Sequence, residues 1–260
     1  MKIAVCVKYV PDATSDRSFV GDANTTDREN VDGLLCELDE YAVEEALKIV
    51  EAGEGEVTVI CMGPAQASEA VKKSLQMGAD KAVHISDAAL SGSDAVGTAT
   101  VLAAAINKIG PVDLVITGMA STDGTGSVVA SMLAELLQLP QITFASELTI
   151  EGDSVTMRRD GDLATEIVQA KLPAVVSVTD QINEPRYPSF KGIMAAKKKP
   201  VESWTLADLG VDPATVGLAG AWTQVAEANK RPARQQGLIV SDDGAGGDVL
   251  AQFLALQKFV

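Results

Sequence analysis

Residues 113–127 read DLVITGMASTDGTGS, a short apolar strand pattern that runs into a loop of small polar residues, and a helical pattern follows to about 138. A strand that is apolar on both faces is typical of a parallel sheet covered by helices. Three similar segments precede it: KIAVCVK (2–8), EVTVICM (56–62) and KAVHI (81–85). Helical apolar spacing lies between these strands, over 39–51, 66–77 and 94–109. The alternation predicts an α/β fold with a doubly wound, mostly parallel sheet in three layers.

The pattern changes after Pro140. Strand-like segments then follow one another with only short turns between them, at 142–150, 154–160, 164–172 and 174–180. The dipeptides Gly152–Asp153 and Gly161–Asp162 are typical of hairpin turns. The last segment is apolar enough to be buried, whereas the two before it alternate. We therefore predict an antiparallel extension of the sheet.

The C-terminal part of the chain lacks a core pattern of its own. Beyond Val201, large apolar side chains are scattered through polar sequence, and only VLAQFLALQKFV (249–260) looks helical. Such a stretch packs either on another protein or on its own domain. We therefore predict an α/β domain over 1–200 and a C-terminal arm over 201–260.

The composition narrows the functional classes. The 260 residues carry a net charge of −15 and only 4% aromatics, which argues against a nucleic-acid binder. One histidine, His84, and three cysteines without CxxC spacing argue against a zinc site and a disulfide framework. Free thiols favour a reducing cytoplasm, and no apolar run approaches the roughly 20 residues that insertion into a membrane requires. With so few acid–base groups, a binding or carrier protein is favoured over a hydrolase.

The loop at 118–127 is the first candidate site. Its small residues allow backbone N–H groups to converge, and the N-terminus of the following helix favours a phosphate. The carboxyl ends of parallel strands are also where open α/β sheets bind ligands. The loop matches neither GxGxxG nor GxxxxGK[ST], so a simple tight connection remains the alternative. Two further candidates are the ends of the first two strands, around Cys6, Val7 and Lys8 and at Cys61-Met62-Gly63-Pro64, which lie at the same predicted edge. The thiols of Cys6 and Cys61 are either reactive or, more often, small buried hydrophobes.

The segment NEPRYPSFKGIMAAKKKP (183–200) resembles the signature of the beta, or small, subunit of electron transfer flavoproteins. Further features of that family occur in order along essentially the whole chain: KYVPD (8–12), DEYAVEEAL (39–47), MGPAQASEAVKKSLQMGADKAVHI (62–85), LPQITF (139–144), LPAVVSV (172–178) and DLGVD (208–212). The resemblance implies a nucleotide-binding fold like that of the adenine nucleotide alpha hydrolases.

The same resemblance implies partners and cofactors. The chain would form a heterodimer with an alpha subunit that makes most contacts to the redox FAD, and it would itself hold an AMP. The complex would carry electrons from flavin-dependent dehydrogenases of the acyl-CoA type, in fatty acid oxidation, to a quinone oxidoreductase. The chain alone would catalyse nothing, and its arm would wrap the alpha subunit.

Matched by position, the family's nucleotide contacts fall on three strand ends, the start of one helix and the candidate loop. Backbone amides near Ser127 would hold the phosphate. The residues are Cys6, Cys36, Glu37, Leu38, Asp39, Met62, Gly118, Asp123, Gly124, Thr125, Gly126, Ser127, Val128 and Val129.

The family's recognition loop, which docks the dehydrogenase through one apolar side chain, falls on 184–195, with Phe190 as the anchor. Arg186 and Lys191 would steer acidic partners. The docking residues implied are Arg186, Tyr187, Pro188, Ser189, Phe190, Lys191, Ile193 and Met194.

Two alternatives remain open. In the first, the subunit is electron-bifurcating and binds a second FAD in place of AMP. Asp123–Gly124 favours this alternative, but Val128 stands where bifurcating members carry Gln. In the second, the chain is a stand-alone nucleotide-binding protein of the stress type. Cys36-Glu37-Leu38, which replaces the Asn-Pro-Phe of many members, leaves the side-chain contacts to AMP open.

Overall fold

The structure is a computed structural model that describes residues 1–15, 17–28, 30–237 and 239–260. The strands are β1 (Lys2–Val7), β2 (Tyr9–Pro11), β3 (Phe19–Val20), β4 (Thr25–Thr26), β5 (Gly33–Leu35), β6 (Glu56–Met62), β7 (Lys81–Ile85), β8 (Leu114–Gly118), β9 (Gln141–Ala145), β10 (Glu147–Glu151), β11 (Ser154–Asp160), β12 (Thr165–Lys171), β13 (Ala174–Val178) and β14 (Val201–Trp204). The helices are α1 (Glu37–Ala52), α2 (Ser68–Met77), α3 (Ala95–Ile109), α4 (Val129–Leu137), α5 (Phe190–Ala196), α6 (Leu206–Leu209), α7 (Gly217–Gly220) and α8 (Gly246–Leu256).

Across the described ranges, seven parallel strands form the central sheet in the order β14-β7-β6-β1-β8-β13-β9. In β1, alternate side chains enter different cores: Val5 packs in the core beneath α1 and α2, whereas Ala4 packs in the core beneath α3 and α4. Both faces are therefore apolar, as buried parallel strands require. The predicted three-layer α/β fold is confirmed.

The predicted antiparallel part is a separate sheet of β10, β11 and β12. The predicted single strand at 142–150 is wrong, because it divides into β9 and β10 at Ser146. The Ser146 backbone N–H donates to the carbonyl of Arg158, and its hydroxyl donates to Asp160. These bonds turn the chain out of the central sheet. Just before this break, Phe144 adopts a φ of 64° beside an irregularity in the register of β13.

Beyond Pro200 the chain first completes the central sheet, because β14 pairs with β7 at its edge. Further along, the chain at 222–223 is held to the start of α3 by Asp94. The Asp94 carboxylate accepts the backbone N–H groups of Trp222 and Thr223 at 2.8 and 3.0 Å. Residues 1–226 form one compact unit and 227–260 a second one, whose described part contains α8. Over the described ranges, none of the helices combines the length and the apolar composition that crossing a membrane requires.

Candidate functional site

The carboxyl ends of β1 and β8 meet the first turn of α1 through Asp39. Its carboxylate accepts the backbone N–H of Lys8 at 2.8 Å and that of Gly118 at 3.3 Å. The approach is so close that a Cβ atom on Gly118 would lie 2.6 Å from Asp39 Oδ1 and 2.7 Å from the carbonyl oxygen of Leu38. Only glycine fits at the end of this strand. Asp39 thus joins three elements at the edge of the sheet where open α/β folds bind ligands.

Burial raises the pKa of Asp39 to about 7, although the N–H groups of Lys8 and Gly118 and the charge of Lys8 favour the ionised form. A carboxyl group whose pKa is higher in the folded state holds an extra proton there between its unfolded and folded pKa values. Ionising it therefore destabilises the fold. The stability that the protonated Asp39 adds to the folded state is thus lost as pH rises from about 4 to about 7.

We expect Asp39→Asn to remove this pH dependence. The free energy of unfolding of the unmodified chain minus that of the variant should fall by about 2 kcal/mol between pH 5 and pH 7. Urea unfolding of both chains at pH 5, 6 and 7 measures the difference. Parallel pH profiles would contradict the assignment.

Asp123, in the candidate loop, lies between two cations. Its Oδ1 is 2.8 Å from the Lys8 ammonium and its Oδ2 pairs with the Arg28 guanidinium. Burial acts to raise the pKa of Asp123, but Lys8, the Ser121 hydroxyl and Arg28 outweigh it and hold the pKa well below the usual range. The carboxylate is therefore ionised. Lys8, Arg28 and Asp123 together carry one positive charge, which the partly ionised Asp39 next to Lys8 reduces.

The loop beyond Asp123 leaves a row of backbone donors open. Residues 124–128 are exposed, and Thr125 and Ser127 adopt φ values of 49° and 55°. Within the described part of the chain, the amide groups of 126–129 have no hydrogen-bond acceptor, and α4 begins at Val129. Exposed N–H groups at a helix N-terminus, in a loop whose Asp123 pairs with two cations, are chemically suited to a phosphate. The residues present therefore fit the phosphate of a nucleotide.

The thiols do not contribute reactive groups. Burial raises the pKa of Cys6 to about 12, that of Cys36 to about 11 and that of Cys61 to about 12. They are protonated at neutral pH and are small packing groups. His84 is likewise buried in β7, with its Nε2 3.1 Å from the carbonyl oxygen of Pro64, which is a structural position.

The structure brings together only some of the predicted nucleotide contacts. Cys36, Asp39, Gly118 and Asp123 belong to one connected cluster, since the Cys36 thiol lies 3.9 Å from the carbonyl oxygen of Ala120 in the same loop. Glu37 instead is exposed in the first turn of α1, and Met62 is half-buried at the end of β6. A role in nucleotide binding for all of these residues stays a prediction.

Lys8, Arg28 and Ser121 are cluster members outside the nucleotide contacts that the family resemblance implies, although Lys8 lies at a candidate strand end and Ser121 in the candidate loop. Lys8 stands at a predicted strand end, and a buried aspartate in the loop needs a cation, which is the signal that points to it. Arg28 has no comparable signal, because it pairs with a carboxylate 95 residues away.

The recognition loop (184–195) exposes two aromatic side chains, those of Tyr187 and Phe190. Tyr187 is 92% exposed and Phe190, the first residue of α5, is 80% exposed. Ser189 caps the helix by accepting the N–H of Gly192 at 3.1 Å. The remaining side chains assigned to docking lie beside these two: Lys191, Ile193 and Met194 are exposed, and Pro188 is half-buried.

Arg186 differs from the other predicted docking residues, because its guanidinium is bound inside the chain. It pairs with Glu44 at 2.7 Å and with Glu51 at 2.6 Å, both on α1. Its docking role stays a prediction, but the structure shows an attachment to its own domain.

The C-terminal end of α2 contacts both α5 of the recognition loop and Lys199, which follows α5. Lys199 donates to the carbonyls of Leu75 and Gly78 at 3.1 and 2.8 Å, and so caps the C-terminus of α2. In α5, a Cβ atom on Gly192 would lie 2.5 Å from the carbonyl oxygen of Gln76. Close contact between α5 and α2 therefore requires glycine at 192.

We expect Gly192→Ala to displace α5 from α2 while the central sheet stays intact. The cost is about 1–3 kcal/mol, because backbone must move to admit the methyl group. Urea unfolding and amide hydrogen exchange of residues 189–197 measure the two effects. Gly53→Ala is the control, since a Cβ atom there has no neighbour within 4 Å. Equal protection of α5 in both variants would contradict the expectation.

The fold defines a three-layer α/β protein with a parallel central sheet. The sequence profile of the electron transfer flavoprotein domain matches residues 24–209. The electron transfer flavoprotein subunits beta of Mycobacterium tuberculosis (strain ATCC 25618 / H37Rv) and Mycobacterium leprae are each 47% identical over 263 residues, covering 99% of both chains. A subunit of Acetobacterium woodii named caffeyl-CoA reductase-Etf complex subunit CarD is 37% identical over 242 residues, covering 93% of this chain and 92% of its own. The chain belongs to the beta subunit family of electron transfer flavoproteins.

Proposed function

We propose that this chain is the beta subunit of a heterodimeric electron transfer flavoprotein of the cytoplasm. It holds AMP as a structural nucleotide and docks flavin-dependent, acyl-CoA type dehydrogenases. FAD, held mainly by the alpha subunit, supplies the redox chemistry and passes electrons to a quinone oxidoreductase. The chain alone is not an enzyme, because redox activity belongs to the heterodimer.

The observation that carries the nucleotide assignment is the row of open amides at 126–129, in the same loop as Asp123, which pairs with Lys8 and Arg28. A phosphate dianion accepts these N–H groups. Backbone donors do not depend on side-chain identity, so Val128 in place of Gln does not remove the phosphate site. The site needs no general acid or base, which agrees with protonated thiols and a neutralised Asp123.

The observation that supports docking is the exposure of the Tyr187 and Phe190 side chains. The segment that carries them is held to α1 by Arg186 and to the end of α2 by Lys199. Aromatic side chains that stand free of their own core are common energetic centres of protein interfaces. Lys191 lies beside them and carries the charge that favours an acidic partner. The arm, which contains α8, packs on the alpha subunit in this proposal. The spacing of Val249, Phe253 and Leu256 places three apolar side chains along one side of that helix.

A second candidate is the electron-bifurcating subunit, with a second FAD in place of AMP. It is favoured by the similarity to the Acetobacterium subunit, whose name places it in a complex with a reductase. The same open amides suit a pyrophosphate, so the loop alone does not separate the two nucleotides. Val128 at the usual Gln position favours AMP.

Co-expression with the cognate alpha subunit tests the proposal. We expect a yellow one-to-one complex that is reduced by an acyl-CoA dehydrogenase in the presence of its acyl-CoA substrate. A chain that folds and binds nucleotide as a homodimer, and ignores the alpha subunit, would instead indicate a stand-alone protein of the stress type.

A further inference from the structure

We propose that Arg186 is a positioning residue: it fixes the start of the recognition loop on α1 and so holds the anchor Phe190 ready for docking. The proposal deepens the docking function above and rests on it. It replaces steering of acidic partners as the main task of this arginine.

The guanidinium of Arg186 forms ion pairs with two carboxylates, those of Glu44 and Glu51. Its Nε and Nη2 donate to the two oxygens of Glu44 at 2.7 and 3.0 Å. Its Nη1 and Nη2 donate to the two oxygens of Glu51 at 2.6 and 2.9 Å. Glu44 and Glu51 stand seven residues, or about two turns, apart on α1 and therefore share one face of the helix. A planar fork with several donors is the group that suits this arrangement, and an ammonium ion does not reproduce it.

The contact with Glu44 also involves the backbone of Arg186, which distinguishes it from an ordinary surface ion pair. The N–H of Arg186 donates to Glu44 at 3.2 Å, so the main chain itself is held one residue before the exposed Tyr187. The Glu44 side chain is only 7% exposed, so water competes weakly for it. Hydrogen bonding to Arg186 lowers the pKa of Glu51, and the bonds to Glu51 and Glu44 raise the pKa of Arg186.

Neighbouring contacts fasten the same segment at further points. Asn183 donates from Nδ2 to the Tyr41 carbonyl at 3.1 Å and to Glu45 at 3.0 Å, both on α1. On the C-terminal side of Phe190, the Lys199 ammonium donates to the carbonyl of Gly78 at the end of α2. The exposed aromatic side chains thus lie between two fixed ends. Docking then orders little chain, which saves conformational entropy on binding.

The test uses the complex with the alpha subunit and an acyl-CoA dehydrogenase reduced by its substrate. Arg186→Gln alone leaves Glu44 buried without a counter-charge, which destabilises the fold. The main variants are therefore Glu51→Gln and the double change Arg186→Gln with Glu44→Gln. Arg158→Gln is the matched control, because Arg158 also binds two carboxylates, Glu147 and Asp160, but on the antiparallel sheet.

We expect the double variant to exchange the amides of 184–195 about tenfold faster and to raise the KM of the dehydrogenase for the complex about tenfold, with kcat unchanged. Glu51→Gln should give a smaller change in the same direction, and Arg186→Lys should retain part of the protection. Arg158→Gln should change neither quantity. Phe190→Ala, measured alongside, should raise KM without altering exchange near Arg186.

Two outcomes would overturn the proposal. Unchanged exchange in the double variant would show that Arg186 does not fix the loop. Faster exchange with unchanged KM would leave Arg186 a purely structural role. If Phe190→Ala also leaves KM unchanged, the docking function itself fails, and the exchange data still decide whether Arg186 holds the loop.

Discussion

Phe190→Ala is expected to raise the KM of the dehydrogenase for the complex by about 30-fold, while the fold and flavin content of the complex stay unchanged. The side chain is 80% exposed and begins α5, so its removal takes nothing from the core. A central aromatic anchor of an interface contributes about 2 kcal/mol or more, which corresponds to this factor. Steady-state reduction of the flavin at varied concentrations of the complex measures it.

The control for this prediction is Leu163→Ala. Leu163 is a fully exposed apolar side chain that lies in the turn between β11 and β12. It tests whether loss of any exposed apolar group slows the reaction. Equal kinetics of Phe190→Ala and the unmodified complex would remove the anchor assignment.

Gly118→Ala is expected to destabilise the chain by about 2–3 kcal/mol and to empty the proposed nucleotide site. The new methyl group would lie 2.6 Å from Asp39 Oδ1 and 2.7 Å from the Leu38 carbonyl oxygen. The Leu38 oxygen is backbone, and the Asp39 carboxylate is buried and held by the N–H groups of Lys8 and Gly118, so neither moves easily. Relief requires β8 and α1 to separate, which also moves the loop that follows Gly118. Urea unfolding and quantification of bound nucleotide measure the two effects.

Gly126→Ala is the control in the same loop. A Cβ atom there meets only Val128 Cγ2, at 3.8 Å, which is an ordinary contact. Its stability should match that of the unmodified chain. Equal stability of the two alanine variants would show that the junction of Asp39 and Gly118 is not under the steric constraint described.

Much of the central sheet could be predicted because buried parallel strands carry a local signal. The runs at 2–8, 56–62, 81–85 and 113–117 correspond to β1, β6, β7 and β8. β14 has no such signal: three of its four residues are exposed, and it is a strand only because it pairs with β7 far away in the chain. The division at Ser146 is equally non-local, since it depends on hydrogen bonds to Arg158 and Asp160.

The candidate site shows the same limit. Small residues at a strand end indicated the loop at 118–127, because that chemistry is local. Lys8 lies at a strand end that the sequence indicated, but its pairing with Asp123, and that of Arg28, arises only when the chain folds. Arg186 illustrates the converse: its position in EPRY predicted docking, but a partner 142 residues away holds its side chain. Polar pairing across long sequence separations is the part that pattern analysis does not supply.

The central claim is that this chain holds AMP beside a partner's redox flavin. The most direct test is to denature the purified heterodimer and to quantify the released nucleotides by mass spectrometry. We predict one AMP and one FAD per complex. Two FAD and no AMP would contradict the claim and establish the bifurcating alternative.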